Sequence, residues 1–211
     1  DAVALSKGLA RAVISDKSMK AMSASRQAVE KIIHSEEVVY GINTGFGALS
    51  SVRIDGSDLD DLQTNLIRSH ACGVGDLMDP EHVLLMMVFR ANSLAKGVSG
   101  IRPEVVVMII DMINYGIAPI VPRIGSLGAS GDLAPLSHMS LAIMGESNCM
   151  TRTASGWDTM SSEAALSQVD MKPIKLQAKE GLSLINGTSQ MCAYLALTLL
   201  NMEKLLMAAD A

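Results

Sequence analysis

The sequence predicts a mainly α-helical protein. Its 211 residues include only one Trp, three Tyr and two Phe against 15 Met, so Leu, Ile, Val, Ala and Met must fill the core. These residues favour helix–helix packing. Several stretches carry apolar residues at helical spacing between recognisable start and stop signals. A chain of this length buries roughly 70% of its unfolded surface, so a substantial helical core is expected.

The first four predicted helices follow from capping residues, prolines and glycines. An Asp or Ser before an apolar stripe marks a start, and Pro is favoured in the first turn. Glycine commonly marks an end. In chain order, the predicted helices lie over 17–34 after Asp16, over 58–71 after Ser57, from Asp79-Pro80-Glu81 to Lys96-Gly97, and from Pro103 to near Gly116.

The second half of the chain alternates between a loop, helices and a polar stretch. A glycine-rich loop over 125–131 leads into an apolar stripe that begins at Leu133 and stops at Gly145. Residues 146–170 are polar and aperiodic, which predicts an exposed or partly disordered excursion. A last helix begins at Thr188 or Ser189 and is apolar nearly all round, so we expect it to be buried on most faces.

Composition excludes several classes of function. A net charge of −5 offers no basic face, so a nucleic-acid partner is not expected. Apolar runs such as Val105–Ile110 are far shorter than a membrane span, which needs about 18 apolar residues. Three widely spaced cysteines without CxxC indicate a reducing, cytoplasmic compartment. The four histidines lack HxxxH or HExxH spacing, so no metal site is predicted, and Met86 and Met87 are expected in the core.

The glycine-rich loop admits two chemistries. Phosphate binding is disfavoured because the spacing is GxxGxxG, no Lys-Ser/Thr pair follows, and no clear strand precedes it. Alternatively, the Gly131 nitrogen can attack the Ala129 carbonyl carbon and close a five-membered ring. Loss of water and of the Ser130 hydroxyl would leave a methylene electrophile. The positive end of the following helix would stabilise negative charge on that ring. A plain helix-entry loop is the structural alternative.

Five stretches, in order, resemble the aromatic amino acid ammonia-lyases, which carry a self-made methylidene-imidazolone (MIO) group. Ser69-His70 resembles the pair in the histidine ammonia-lyase branch. The resemblance implies elimination of ammonia from L-histidine to give urocanate, with an MIO formed from Ala129-Ser130-Gly131 and no external cofactor. The five stretches are Tyr40–Gly47, Leu62–Gly75, Arg90–Gly97 with Ser99–Arg102, Gly125–Leu136 and Glu180–Thr188.

The resemblance also implies a fold and an assembly. The chain is expected to form the helical N-terminal part of the fumarase/aspartase-like superfamily fold, truncated, with 1–211 as the MIO-bearing domain plus the start of a central helical bundle. The full form is expected to be a homotetramer with shared active sites. The chain begins at Asp1 without Met and stops at Ala211 inside a helical pattern, which indicates part of a longer polypeptide.

The same resemblance implies roles for individual residues. Tyr40 would remove the substrate's β-proton. Since the pKa of tyrosine is ordinarily about 10, this role requires positive surroundings that lower the pKa. Ser69 and His70 would contact the substrate, and Asn186 would orient substrate and prosthetic group. Asp132 would either cap the following helix or assist ring closure. The structural alternatives are a tyrosine buried at a strand end, a core histidine and a turn asparagine.

Two features leave the specificity open. The family commonly has Gln directly after Asn-Gly-Thr, whereas here Ser189 follows Thr188 and Gln190 comes one place later. Family members are also longer and carry further active-site residues, including the clamp for the substrate carboxylate. A phenylalanine or tyrosine ammonia-lyase, a 2,3-aminomutase, a helical assembly or anion-binding module, and a catalytically incompetent helical fragment therefore remain alternatives.

Overall fold

The computed structural model describes residues 1–126, 128 and 131–210. These residues form nine α-helices, a short 3-10 turn at Gly47–Leu49, and two small antiparallel sheets. The helices are α1 Ala2–Ser6, α2 Asp16–Ile33, α3 Leu59–His70, α4 Pro80–Leu94, α5 Pro103–Tyr115, α6 Leu133–Ile143, α7 Ser162–Ser167, α8 Glu180–Ile185 and α9 Ser189–Ala209. The strands are β1 Val74–Leu77, β2 Ile117–Pro119, β3 Pro122–Ile124, β4 Asn148–Thr153 and β5 Gly156–Ser161.

The predicted starts of α4 and α5 and the predicted end of α5 are confirmed, whereas α4 ends at Leu94, two residues before Lys96. The Asp79 side chain accepts a hydrogen bond from the Glu81 N–H at 2.8 Å, directly before the proline that opens α4. Pro103 opens α5, and Gly116 ends it in the left-handed conformation with φ 68°. Glycine reaches that conformation without the steric cost that a Cβ adds.

Two predicted caps were wrong by one position. Ser15, not Asp16, caps α2, because its hydroxyl accepts from the Ser18 N–H at 3.2 Å. Asp16 lies in the first turn, where its negative charge interacts favourably with the positive end of the helix dipole. Asp58, not Ser57, occupies the cap position of α3, without a capping hydrogen bond from its side chain.

The core is built around α4 and α5. The run Val83–Met87 is fully buried, which confirms that Met86 and Met87 fill the core. On α5, Val105, Ile109 and Met112 are equally buried. Helix α4 packs against α1, α5, α9 and β2, so it is the central element of the described chain.

A two-stranded sheet connects the end of α3 to the glycine-rich loop. Strands β1 and β3 pair antiparallel, with Val74 opposite Ile124 and Leu77 opposite Pro122. The expectation that no strand precedes the loop was therefore wrong. A three-residue strand is too short to leave a period-2 signal in the sequence.

The polar stretch 146–170 is folded, so the prediction of partial disorder was wrong. Strand β4 pairs with both β2 and β5, and α7 follows. Cys149 and Leu166 are fully buried, and burial raises the pKa of the Cys149 thiol to about 12. Most of β5 is exposed or half-buried, which explains its polar sequence.

Helix α9 is buried only near its start, at Ser189, Gln190 and Ala193. The expected burial on most faces is not found within the described residues, because α4 packs extensively on α9 and α6 makes only a small contact with it. By length and composition the stretch Glu180–Ala209 could cross a membrane, a test that core helices also pass. Its exposed large apolar residues are Met191, Tyr194, Leu195, Leu199, Leu200, Met202, Leu205, Leu206 and Met207.

Candidate active site

The described part of the glycine-rich loop is closed by its own backbone. The Gly128 N–H donates to the Gly131 carbonyl at 3.2 Å, and the Gly131 N–H donates to the Gly128 carbonyl at 3.4 Å. Gly131 has φ 105°, a conformation that residues with a Cβ rarely adopt. Ala129 and Ser130, the other residues of the predicted ring, lie outside the described residues, as does Leu127.

Asp132 connects the loop to helix α6. Its Oδ1 accepts from the Ala134 N–H at 3.0 Å, which caps α6. The same oxygen accepts from the N–H of Ser126 at 2.7 Å and from its hydroxyl at 3.0 Å. Of the two roles left open by the sequence, capping is observed, and assistance in ring closure stays a prediction.

The turn between α8 and α9 packs against the end of this loop. A Cβ placed on Gly131 would lie 3.4 Å from the Gly187 carbonyl oxygen and 3.4 Å from the Met191 sulfur. Asn186 is the last residue before that turn, and its N–H donates to the Leu182 carbonyl at 3.1 Å. The structure therefore brings the loop and the turn that carries Asn186 into contact.

Tyr40 lies in an ordered turn beside α8. Buried Asn43 fixes this turn, because its side chain accepts from the Val39 N–H at 2.8 Å and donates to the Glu37 carbonyl at 2.7 Å. A Cβ on Gly41 would lie 2.7 Å from a methyl group of Leu182, so the turn touches α8. The Tyr40 side chain is 58% exposed, and the alternative of a tyrosine buried at a strand end is wrong.

Ser69 and His70 end helix α3. His70 Nδ1 lies 2.9 Å from the Leu66 carbonyl and 3.0 Å from the Ser69 hydroxyl, which itself donates to Leu66. A carbonyl only accepts, so a hydrogen bond there requires the proton on Nδ1 and leaves the Nε2 lone pair available in the neutral ring. The pairing of β1 with β3 leads from this end of α3 to the glycine-rich loop.

His138 is a residue that sequence reasoning missed. On α6, its Nε2 accepts from the Gly73 N–H at 3.1 Å and so joins α6 to the segment after His70. Burial lowers the pKa of His138 from its usual 6.5, against a weaker opposing effect of the Asp132 carboxylate. The sequence pattern included this histidine only among the four that lack metal-binding spacing. Among the described residues, no three His, Cys, Asp or Glu side chains form a group that could hold a metal ion.

A buried ionic cluster holds the first residue of α8. Glu180 is fully buried and accepts from Arg102 Nε at 2.7 Å and Nη2 at 2.8 Å. It also accepts from the N–H groups of Arg102 and Gln177. The cluster holds α8 to the start of α5, and hydrogen bonding to Glu180 raises the pKa of Arg102.

Two further buried side chains bind the backbone of α8. Gln63 Oε1 accepts from the Gly181 N–H at 3.0 Å, and the Arg90 guanidinium donates to the Ser183 carbonyl. Gln63, Arg90, Arg102 and Glu180 all lie in the stretches that carry the family resemblance. That placement was the available signal, but it did not indicate that these side chains converge on one short helix.

Comparison with known proteins agrees with this arrangement. Residues 1–211 match the family described as aromatic amino acid lyase. A histidine ammonia-lyase from Geobacillus thermodenitrificans is 52% identical over 188 residues, which cover 89% of this chain and 36% of that protein.

Solved structures give the same result. Histidine ammonia-lyase from Trypanosoma cruzi is 40% identical with a TM-score of 0.79, over 91% of this chain and 36% of that one. Ergothionase from Treponema denticola, an ergothioneine-degrading enzyme, is 30% identical with a TM-score of 0.89, over 97% and 40%. The chain thus spans about 36% of the length of the curated relative and a similar share of the solved chains.

Proposed function

The chain belongs to the aromatic amino acid lyase family, and from that premise we propose that it is the electrophile-bearing part of a histidine ammonia-lyase. The proposed reaction converts L-histidine to urocanate and ammonia. The observation that carries the proposal is the contact of Gly131 with the Asn186-Gly187 turn, in a chain 52% identical to a histidine ammonia-lyase. The Ser69-His70 pair supports histidine over phenylalanine or tyrosine as substrate.

The residues around the loop fit an MIO formed from Ala129-Ser130-Gly131. Gly131 has a backbone conformation suited to glycine, and the α6 N-terminus follows directly. The ring would supply an electrophile that turns the substrate's amine into a leaving group. Asp132 would keep the loop next to the positive end of α6, which favours negative charge on the ring.

The remaining roles belong to side chains of the described chain. Tyr40 would remove the β-proton, since its turn lies against the helix that carries Asn186. Asn186 would orient substrate and ring through its amide group. His70, held through Nδ1, would offer Nε2 to the imidazole N–H of the substrate, with Ser69 fixing its ring orientation.

We also propose that this chain works in a cytoplasmic homotetramer with shared active sites. Efficient proton abstraction requires a site that excludes water, whereas Tyr40 is exposed in this chain. A neighbouring subunit would therefore cover it. Nine large apolar side chains of α9 are exposed, and such a surface suits a helical partner. Neither nucleic acid nor a membrane is proposed as a partner.

The first test uses the full-length, assembled protein. Ser130→Ala should lower the rate of urocanate formation by about 10³-fold or more, the scale of losing a covalent catalyst. Peptide mapping should show a deficit of two waters across residues 129–131 in the unmodified protein and not in the variant. An undiminished rate in Ser130→Ala would end the proposal.

Substrate class is tested by assaying histidine, phenylalanine and tyrosine side by side. Faster turnover of either phenylalanine or tyrosine, or formation of a β-amino acid, would favour the other enzymes of the family. An intact Ala-Ser-Gly backbone in the assembled protein would favour a non-catalytic helical assembly.

A further inference from the structure

Arg90 is a buried cation that touches the helix carrying Asn186. It lies on α4, is 5% exposed, and donates from Nη2 to the carbonyl of Ser183. Ser183 lies in the last turn of α8, three residues before Asn186. The guanidinium therefore sits at the negative end of that short helix, where a cation is favoured.

The charge of Arg90 is not neutralised within the described chain. No carboxylate among the described residues forms an ion pair with it, and its Nε has no hydrogen-bond partner there. Burial lowers the pKa of Arg90 to about 10, so the group is still charged at neutral pH. An unpaired buried cation is unfavourable, and a Leu or Met would fill the same space without that cost. Packing alone therefore does not account for an arginine here.

Arg90 also fills the space beside Gly187. A Cβ on Gly187 would overlap Nη1 of Arg90 and lie 3.3 Å from its Cζ. The turn after Asn186 can approach the guanidinium this closely only because residue 187 has no side chain. A cavity of about 450 Å³, lined in part by Asn186, Gly187 and Thr188, opens on the turn, so the turn has room to move if Arg90 is removed.

We propose that Arg90 is a positioning residue for the proposed reaction. It holds the C-terminal end of α8 and the Asn186-Gly187 turn against α4, and it acts through Asn186 without touching substrate. This inference rests on the proposed function for its effect on turnover. The hold on the turn itself is independent of that function, and the two are measured separately.

The test uses the full-length, assembled protein with Arg90→Met, which keeps the length and removes the charge. Amide hydrogen exchange of the peptide over 183–192 should become about tenfold faster or more, since the C-terminal end of α8 loses its hydrogen bond from Arg90 to Ser183. The kcat for histidine should fall by about 10- to 100-fold, the effect of displacing a catalytic group by a fraction of an ångström to an ångström. The KM should change by less than about threefold.

Two variants sharpen the result. Arg90→Lys keeps the charge and a single donor nitrogen, so both readouts should lie between those of wild type and Arg90→Met. Arg68→Met removes a guanidinium that is exposed and bound to Glu146 at 2.7 Å, and it should change neither readout.

The outcomes separate the two proposals. The positioning role would be overturned if Arg90→Met had the hydrogen exchange and the kcat of wild type. If the Met variant does not fold, the same result in Arg90→Lys would overturn it. Faster exchange with an unchanged kcat would mean that Arg90 has a structural role alone. A raised KM with an unchanged kcat would mean that Arg90 contributes to substrate binding. Either result would overturn the proposal. A wild-type protein that does not eliminate ammonia, or a fully active Asn186→Ala, would refute the proposed function, while exchange would still decide whether Arg90 holds the turn.

Discussion

The two ends of helix α8 are held by opposite electrostatic arrangements. At the N-terminal end, the buried Glu180 carboxylate is matched by Arg102 and by backbone N–H groups. At the C-terminal end, the buried Arg90 guanidinium has a backbone carbonyl as partner and no carboxylate among the described residues. The first arrangement satisfies its charges and fixes the fold. The second leaves a charge unmatched next to Asn186, which is the arrangement expected where function outweighs stability.

The largest expected effect comes from breaking the matched end. Glu180→Gln leaves Arg102 without its carboxylate and weakens two backbone hydrogen bonds, so the free energy of unfolding should fall by about 3–5 kcal/mol. Chemical denaturation of the assembled protein measures this. Arg90→Met should cost clearly less, because no ion pair is lost. A larger loss for Arg90→Met than for Glu180→Gln would invert the comparison.

An intermediate effect is expected where α8 is held without charge. Gln63 is 1% exposed, and its Oε1 accepts from Gly181 N–H, so Gln63→Leu leaves a buried donor unsatisfied. The free energy of unfolding should fall by about 1–3 kcal/mol. A Gln63→Leu variant as stable as wild type would show that Gly181 finds another partner.

The smallest effect is expected at a contact whose strength depends on pH. Burial lowers the pKa of His138, so the unfolded chain binds more protons than the folded one just below pH 6.5. Stability should therefore fall as pH drops through this window, by less than about 1 kcal/mol because solvent screens the half-buried ring. His138→Gln retains an acceptor for the Gly73 N–H but does not titrate. The free energy of unfolding of this variant should therefore change less between pH 7 and pH 5 than that of wild type. An unchanged profile would assign the pH dependence to other groups.

Much of the helical framework was predictable from sequence. Pro80 and Pro103 with their flanking residues fixed the starts of α4 and α5, because capping depends on neighbouring residues alone. Helix α8 was missed, since six residues are too few to show periodicity. The stretch 146–170 was misread because β4 pairs with β2, a strand distant in sequence.

The candidate site was predictable in a different sense. Tyr40, His70 and Asn186 came from the resemblance to a family, and their spacing alone gave no reason to join them. The contacts that place Asn186 link residues about 90 to 120 positions apart, such as Arg90 with Ser183 and Gln63 with Gly181. Local sequence patterns carry no information about such contacts, so only the folded chain shows them.

The homotetramer proposed above would make the stability of this chain depend on its concentration, because α9 exposes large apolar side chains. In dilute solution nine large apolar side chains between Met191 and Met207 stay in contact with water. Any surface that covers them binds only the folded chain and so shifts the folding equilibrium by mass action. In the proposed homotetramer the chain would therefore have no single free energy of unfolding, since dilution would lower it and association would raise it.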